Sequence, residues 1–251
     1  VGKFAYGTWD LGGLKLDATV AGGKAKADFS ALNELVEGEG HLEATLGREI
    51  EARLTASLPM VNVQKAAGMA DTLQLGADVD ITARARRDFS AYGAEGGFRH
   101  LRFLTPRKSI PAKDLLFAFA TSRDTTTARV SAGDLYLNFG AAGTVDLLAG
   151  NVTKLADKLS RQIEKKVLDE KELRQALPDV TLHLDAGRDN PMSRILEHMG
   201  VSYNSARLRL YAGPENGLNG DLSVGALRNG NLLLDTIGVF LSQDSTGFRL
   251  H

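Results

Sequence analysis

The sequence predicts a mainly β protein, a long antiparallel meander interrupted by one long amphipathic helix and one short helix. Apolar and polar residues alternate with a period of two in segment after segment, the pattern of strands wetted on one side only. Glycine, 27 of 251 residues, falls largely between those segments and marks brief turns, and short connections favour antiparallel pairing because parallel strands need long crossovers. The period changes to three and four over 145–177.

Taken in order, strands are expected at 14–20 (LKLDATV), 41–46 (HLEATL) and 50–58 (IEARLTASL), where Ile50, Ala52, Leu54, Ala56 and Leu58 point one way and Glu51, Arg53, Thr55 and Ser57 the other. In 73–85, Leu75, Ala77, Val79, Ile81 and Ala83 share a face opposite Asp78, Asp80, Thr82 and Arg84. The same reading gives strands at 128–132, 135–139, 180–186, 206–212 and 221–227, with AGG at 21–23, AEGG at 94–97 and RNGN at 228–231 as punctuation. Asn229-Gly230 is a strong hairpin signal. In 145–177 an apolar stripe of Val152, Leu155, Leu159, Ile163 and Val167 runs beside Lys154, Asp157, Lys158, Arg161, Glu164 and Lys165, with a break near Asp169 and a stop at Pro178. A shorter helix is expected at 191–199, opened by Pro191 and closed by Gly200. The expected organisation is a β segment at 1–144, a helical insertion at 145–177 and a second β segment at 178–251, with no repeat unit of fixed length.

Composition narrows the function classes. With 30 basic and 31 acidic residues interspersed and a net charge of -1, no electrostatic footprint for nucleic acid is present. The absence of cysteine removes disulfides, thiolate metal sites and cysteine nucleophiles. No apolar run reaches the roughly 18 residues of a membrane span, and no signal peptide is recognisable. The chain opens at VGKFAYG and closes at STGFRLH in mid-pattern, so the expectation is a segment of a longer protein, with room for any membrane anchor outside it.

The candidate chemical motifs read as ordinary surface. His41, His100, His183, His198 and His251 lack the spacing of a zinc site, and His183 falls on the polar side of its strand. GEGHLE at 38–43 carries Glu43 where a dinucleotide loop needs its third glycine. Nucleophile-elbow and phosphate-loop motifs are absent, and Asp78 with Asp80 reads as a solvated strand face rather than an acid–base pair. The basic cluster at 98–108, with Arg99, Arg102, Arg107 and Lys108 beside Phe98 and Phe103, reads as a charged loop and strand edge. The long helix carries both signs of charge, which favours packing on the protein's own sheet over lying on a membrane. The expectation is a non-enzymatic protein without metal or cofactor.

A sheet apolar on one face must cover it, and two helices cannot span about ten strands of about 17–20 Å each. The sheet must therefore fold over, either as a closed sandwich with a packed core or as a curved, partly open trough with an apolar channel wide enough for acyl chains. Inward positions rich in Ala, Leu and Val, aromatics at 6 % and a lone Trp9 leave space inside without deciding between the two.

The stretch from Leu182 to Leu250 resembles a segment of the large TamB-type proteins of the AsmA-like superfamily, in the form found in Bacteroidetes-like bacteria. The pieces that carry the resemblance are GRDNP (187–191), GLNGD (217–221), LLLDTI (232–237) and QDSTG (243–247). It implies a periplasmic protein anchored in the inner membrane, a folded-over β-taco with a continuous hydrophobic groove, phospholipid acyl chains as cargo moving toward the outer membrane, and an outer-membrane barrel protein as partner. It supplies no catalytic residues. The groove role is assigned to inward alternating positions, namely Leu54, Leu75, Val79, Ile81, Leu182, Leu184, Leu208, Leu210, Leu222 and Val224. The helix at 145–177 departs from an uninterrupted trough and would plug, cap or support it. The alternative from another class is a closed β-sandwich acting in adhesion or carbohydrate binding.

Overall fold

A computed structural model describes residues 5–6, 9–10, 12–62, 73–106, 108–166, 169–243 and 248–250. Arg107, Val167, residues 244–247 of the QDSTG stretch, His251 and the side chain of Trp9 lie outside the described residues. The chain is mainly β and divides into two compact units, Val1–Ala118 and Phe119–His251.

In the first unit, β1 (Ala5–Tyr6) and β2 (Trp9–Asp10) form a separate two-stranded ribbon. Then β3 (Leu14–Ala21), β4 (Lys24–Leu32), β5 (Val36–Leu46), β6 (Glu49–Asn62), β7 (Gln74–Arg86) and β8 (Tyr92–Leu104) each pair antiparallel with the next, and β9 (Ser109–Pro111) pairs with β8. Strand β10 (Leu115–Thr121) carries the chain into the second unit. There β11 (Thr125–Ala132), β12 (Leu135–Ala142), β13 (Val180–Ala186), β15 (Ser205–Gly213), β16 (Gly217–Asn229), β17 (Leu232–Gln243) and β18 (Phe248–Leu250) pair in that order, all antiparallel. Helices α1 (Val145–Glu164) and α2 (Glu170–Gln175) lie between β12 and β13, and α3 (Pro191–His198) and the short β14 (Val201–Ser202), which pairs with β16, lie between β13 and β15. Each unit is an open meander in chain order, as the alternation and short turns predict, and neither closes into a barrel.

Turn chemistry fixes the hairpins. Gly22 and Gly23 have φ of 57° and 74° between the paired Ala21 and Lys24, the two positive values a two-residue type I′ turn needs. Gly230, at φ 56°, reverses the chain between Asn229 and Leu232. The AEGG stretch, expected as punctuation, instead lies inside β8. Gly96 there is pressed against the Asp80 carbonyl and the Ile81 backbone, so it is close strand approach rather than a turn that requires a missing Cβ. The basic cluster is likewise no loop over 98–104, since Leu101 and Phe103 are buried in β8. The register shifts between Gly76 and Asp78 of β7, opposite His100 at φ 50°, and the bulge is held by the His100 N–H donating to Asp114 Oδ1 at 2.8 Å and its Nδ1 lying 2.8 Å from Asp78 Oδ2.

The helices end where their sequence signals stand. Thr144 caps α1 through the Leu147 N–H, Lys166 turns to φ 52° beyond its end, and Asp169 caps α2, which places the break where the sequence puts it. Helix α3 has a full capping box from Asn190 and Ser193, with Pro191 at its start and Gly200, φ 80°, past its end. Of the described members of the apolar stripe of α1, expected to pack on the sheet, only Leu155 is shielded. Val152 and Ile163 are 50 % and 64 % exposed, while the shielded line runs through Leu148, Asn151, Leu155, Lys158 and the buried Gln162, about one residue out of phase. Gln162 accepts from the Asp169 N–H at 2.8 Å and donates to Glu172 Oε2 at 3.0 Å, and Lys158 pairs with Glu172 at 3.2 Å, so polar bonds to α2 set the roll of the helix.

Candidate functional site

Strand register assembles the alternating apolar residues into lanes that cross each unit. In the first unit one row runs Leu16, Phe29, Gly40, Ala56, Val79, Phe98, and the next runs Ala18, Ala27, Leu42, Leu54, Ile81, Gly96. Leu54 and Ile81 are direct cross-strand partners; Val79 lies in the adjoining row, and Leu75 lies farther along, opposite Val61 and Phe103. Val79 is 6 % exposed and belongs with Ala77, Leu101 and Phe103 to a packed end of the sheet, whereas Leu16 and Val20 near its edge are 65 % and 70 % exposed. Gly40 keeps the lane flat, because a Cβ there would collide with the Phe29 ring and Ala56.

In the second unit Val130, Leu137, Leu184, Leu208, Leu222 and Val239 form one row, and Ala128, Phe139, Leu182, Leu210, Gly220 and Leu241 the next. Val224 stands between Ala206 and Ile237. All six positions expected there, Leu182, Leu184, Leu208, Leu210, Leu222 and Val224, fall in three adjoining rows. Leu222 at 37 % and Val239 at 36 % remain exposed. Sequence reasoning missed Leu16, Phe29, Leu42, Phe139 and Val239 as members of the lanes; alternation shows a residue's face, but only pairing shows which residues stand beside it. In each unit these rows make up one face of an open sheet, most of their residues half-buried.

The opposite face of the first unit carries an ordered charge ladder. Lys26 Nζ lies 2.6 Å from Glu43, His41 Nδ1 lies 2.7 Å from Asp28, and His41 Nε2 lies 3.2 Å from Glu43. Both ring nitrogens therefore face carboxylates, the arrangement of an imidazolium. Hydrogen bonds to Asp28 and then Glu43 raise the His41 pKa, and those from Lys26 and then His41 lower that of Glu43. Arg53 grips Asp80 through two nitrogens at 3.1 and 2.9 Å, and Ser57 donates to Asp78 at 3.0 Å. Hydrogen bonds from His100 and Ser57 lower the Asp78 pKa, and that from Arg53 lowers the Asp80 pKa, so both acids are ionised partners in cross-strand pairs. A depression of about 790 Å³ in this unit is lined by residues of both parities, polar ones such as Lys15, Asp28, Glu39 and His41 together with the apolar row from Leu16 to Val79.

The second unit concentrates its polar chemistry at strand ends. Asn190, fully buried, donates from Nδ2 to Asp134 Oδ1 at 2.7 Å and to the Gly187 carbonyl at 2.8 Å while accepting from the Ser193 N–H at 2.8 Å. Asp134 also accepts from the Asp189 N–H at 2.9 Å. Burial pushes the Asp134 carboxyl up, but the hydrogen bonds from Asn190 and the backbone outweigh it and leave the group below its ordinary value. The GRDNP stretch is thus a clasp joining the β11–β12 turn to the start of α3. The Tyr203 hydroxyl is buried beside it, and burial raises its pKa against the opposing pull of Asn190. At the start of α1, Thr126 Oγ1 donates to the Gly143 carbonyl at 2.8 Å and lies 2.8 Å from Thr121 Oγ1, while Arg174 of α2 donates to the carbonyls of Pro214 and Glu215. On the sheet surface His183 Nε2 lies 2.6 Å from the Tyr211 hydroxyl.

Among the described residues no group of three or more His, Asp or Glu side chains is placed to hold a metal ion, and no helix is long and apolar enough to cross a membrane. No family model, curated protein or solved structure matches this chain.

Proposed function

We propose that the chain is a non-enzymatic, lipid-handling segment of a periplasmic bridge between two membranes, in which phospholipid acyl chains lie along the apolar lanes on their way toward the outer membrane. The observation that carries this reading is the set of cross-strand apolar rows, half-buried along most of their length and exposed at Leu16, Leu42, Leu222 and Val239. Each acyl methylene covered by such a surface contributes about 0.8 kcal/mol, so a lane several strands wide holds a chain reversibly. The TamB-like motifs from Leu182 onward support the same reading and suggest an outer-membrane barrel protein as partner and an inner-membrane anchor elsewhere in the protein. A closed adhesion or carbohydrate-binding sandwich would require a filled core, and the exposure of these rows disfavours it.

Capture of a photo-crosslinkable phospholipid tests the proposal. Leu42→Asp with Leu222→Asp places charges at exposed positions of the lanes in the two units, and capture is expected to fall to background. Undiminished capture by the folded double variant removes the lanes from lipid handling.

A further inference from the structure

We infer that β3 is a self-complementary edge through which two copies of this chain pair, extending the sheet across a two-fold axis at Leu16. Among the described strands β3 has a partner on one side only, β4, and every one of its eight residues is exposed. Natural edge strands are blunted by shortness, charged side chains, proline, a bulge or a charge pointing inward. β3 carries two charges, Lys15 and Asp17, on its polar side and no proline or bulge: it pairs with β4 in unbroken register from Leu14 to Ala21, and its apolar side reads Leu14, Leu16, Ala18, Val20 without interruption.

Charge identifies the occupant. Asp17 stands directly opposite Asp28 of β4, a like-charge pair that costs stability, and the cation that answers Asp28 is His41 on the far side. Lys15 stands opposite Ser30. Neither Lys15 nor Asp17 has a charged partner among the described residues. An antiparallel second copy centred on Leu16 sets Lys15 opposite Asp17 of the second copy and Asp17 opposite its Lys15, one pair on each side of the axis, and sets Leu14 opposite its Ala18. Residues of one parity then stay on one face in both copies, so the apolar rows continue through the two Leu16 side chains and the polar faces join through the Lys15–Asp17 pairs. Centring on Asp17 would oppose the two aspartates, so charge selects the register. This inference is independent of the lipid reading, which fails or stands on crosslinking to lipid.

The chain has no cysteine, so a single introduced thiol reports register cleanly. Sedimentation up to about 100 μM protein is expected to show a monomer–dimer equilibrium. Asp17→Lys, which opposes lysines across the axis, weakens it by about tenfold or more, and Lys15→Asp combined with Asp17→Lys restores it. Leu16→Cys forms an intermolecular disulfide on mild oxidation, while Val20→Cys, displaced from the axis, does not. A monomer throughout that range, a dimer unchanged by Asp17→Lys, or equal crosslinking at positions 16 and 20 overturns the pairing. So does a dimer that Ile163→Asp dissolves, since the exposed stripe of α1 would then be the contact.

Discussion

The two units hold similar meanders in place by different means. In the first, register is marked across the open polar face by exposed ion pairs, Lys26–Glu43, Arg53–Asp80 and Glu51–Arg84. The second has such a pair in Arg207–Asp185 and adds buried hydrogen bonds at the ends of strands, Asn190 to Asp134 and Thr126 to Gly143. Exposed pairs are screened by water and contribute little singly, whereas a buried polar group left without its partner costs its full desolvation. A ladder of weak pairs therefore loses one rung at small cost, while a clasp fails as a unit.

The largest expected effect is at the clasp. Asn190→Ala removes the α3 cap and leaves Asp134 short of a donor, at a cost of about 2 kcal/mol, and hydrogen exchange should show α3 and the β11–β12 turn opening together. Unchanged protection there would make the clasp ornamental. Thr126→Val comes next. It deletes a hydroxyl that is 2 % exposed and bonded to Gly143, at a cost of about 1 kcal/mol, and loosens the root of α1 more than the strands beside it. Circular dichroism melts followed at the helical band check that order.

Titration sharpens the contrast at smaller scale. The His41 pKa is raised, so its stabilising contribution is complete below the ordinary histidine value of about 6.5 and is lost as pH rises through the folded value. Those of Glu43, Asp78 and Asp80 are lowered, so their contributions are present above the ordinary carboxylate value of about 4 and are lost as pH falls through the folded values. The ladder is thus most complete in mildly acidic solution. By NMR His41 should titrate above its ordinary value, and Asp28→Asn should bring it back down; an identical midpoint in both proteins would mean the pair does not persist in solution. The smallest effect is expected from Arg53→Met, whose urea midpoint should stay within experimental scatter of the parent. A large shift there would erase the distinction between ladder and clasp.

Much of this was legible from the residues. Strict alternation in 50–58 and 73–85 marks two strands and their faces, Asn229-Gly230 marks a hairpin and AGG at 21–23 a turn, because these signals are local. The strand at Lys24–Leu32 was passed over because its apolar side is mostly alanine, which signals burial weakly, and β8 because glycines that serve close packing look like glycines that serve turns. For the candidate lanes, Leu54, Ile81 and the six positions of the second unit are readable from parity, but that Val79 stands between Ala56 and Phe98 is set by strand pairing.

The sequence by itself determined which side of each strand is apolar, where the chain turns and where its helices begin and end, since each rests on residues within one turn or one strand of each other. Only the tertiary structure decided which strands lie side by side, that His41 joins two carboxylates, that Asn190 reaches Asp134, and that α1 turns its apolar stripe outward. Those outcomes depend on register and on competition between distant partners, where polar bonds to α2 prevail over burial of Val152 and Ile163, and no local pattern encodes that balance.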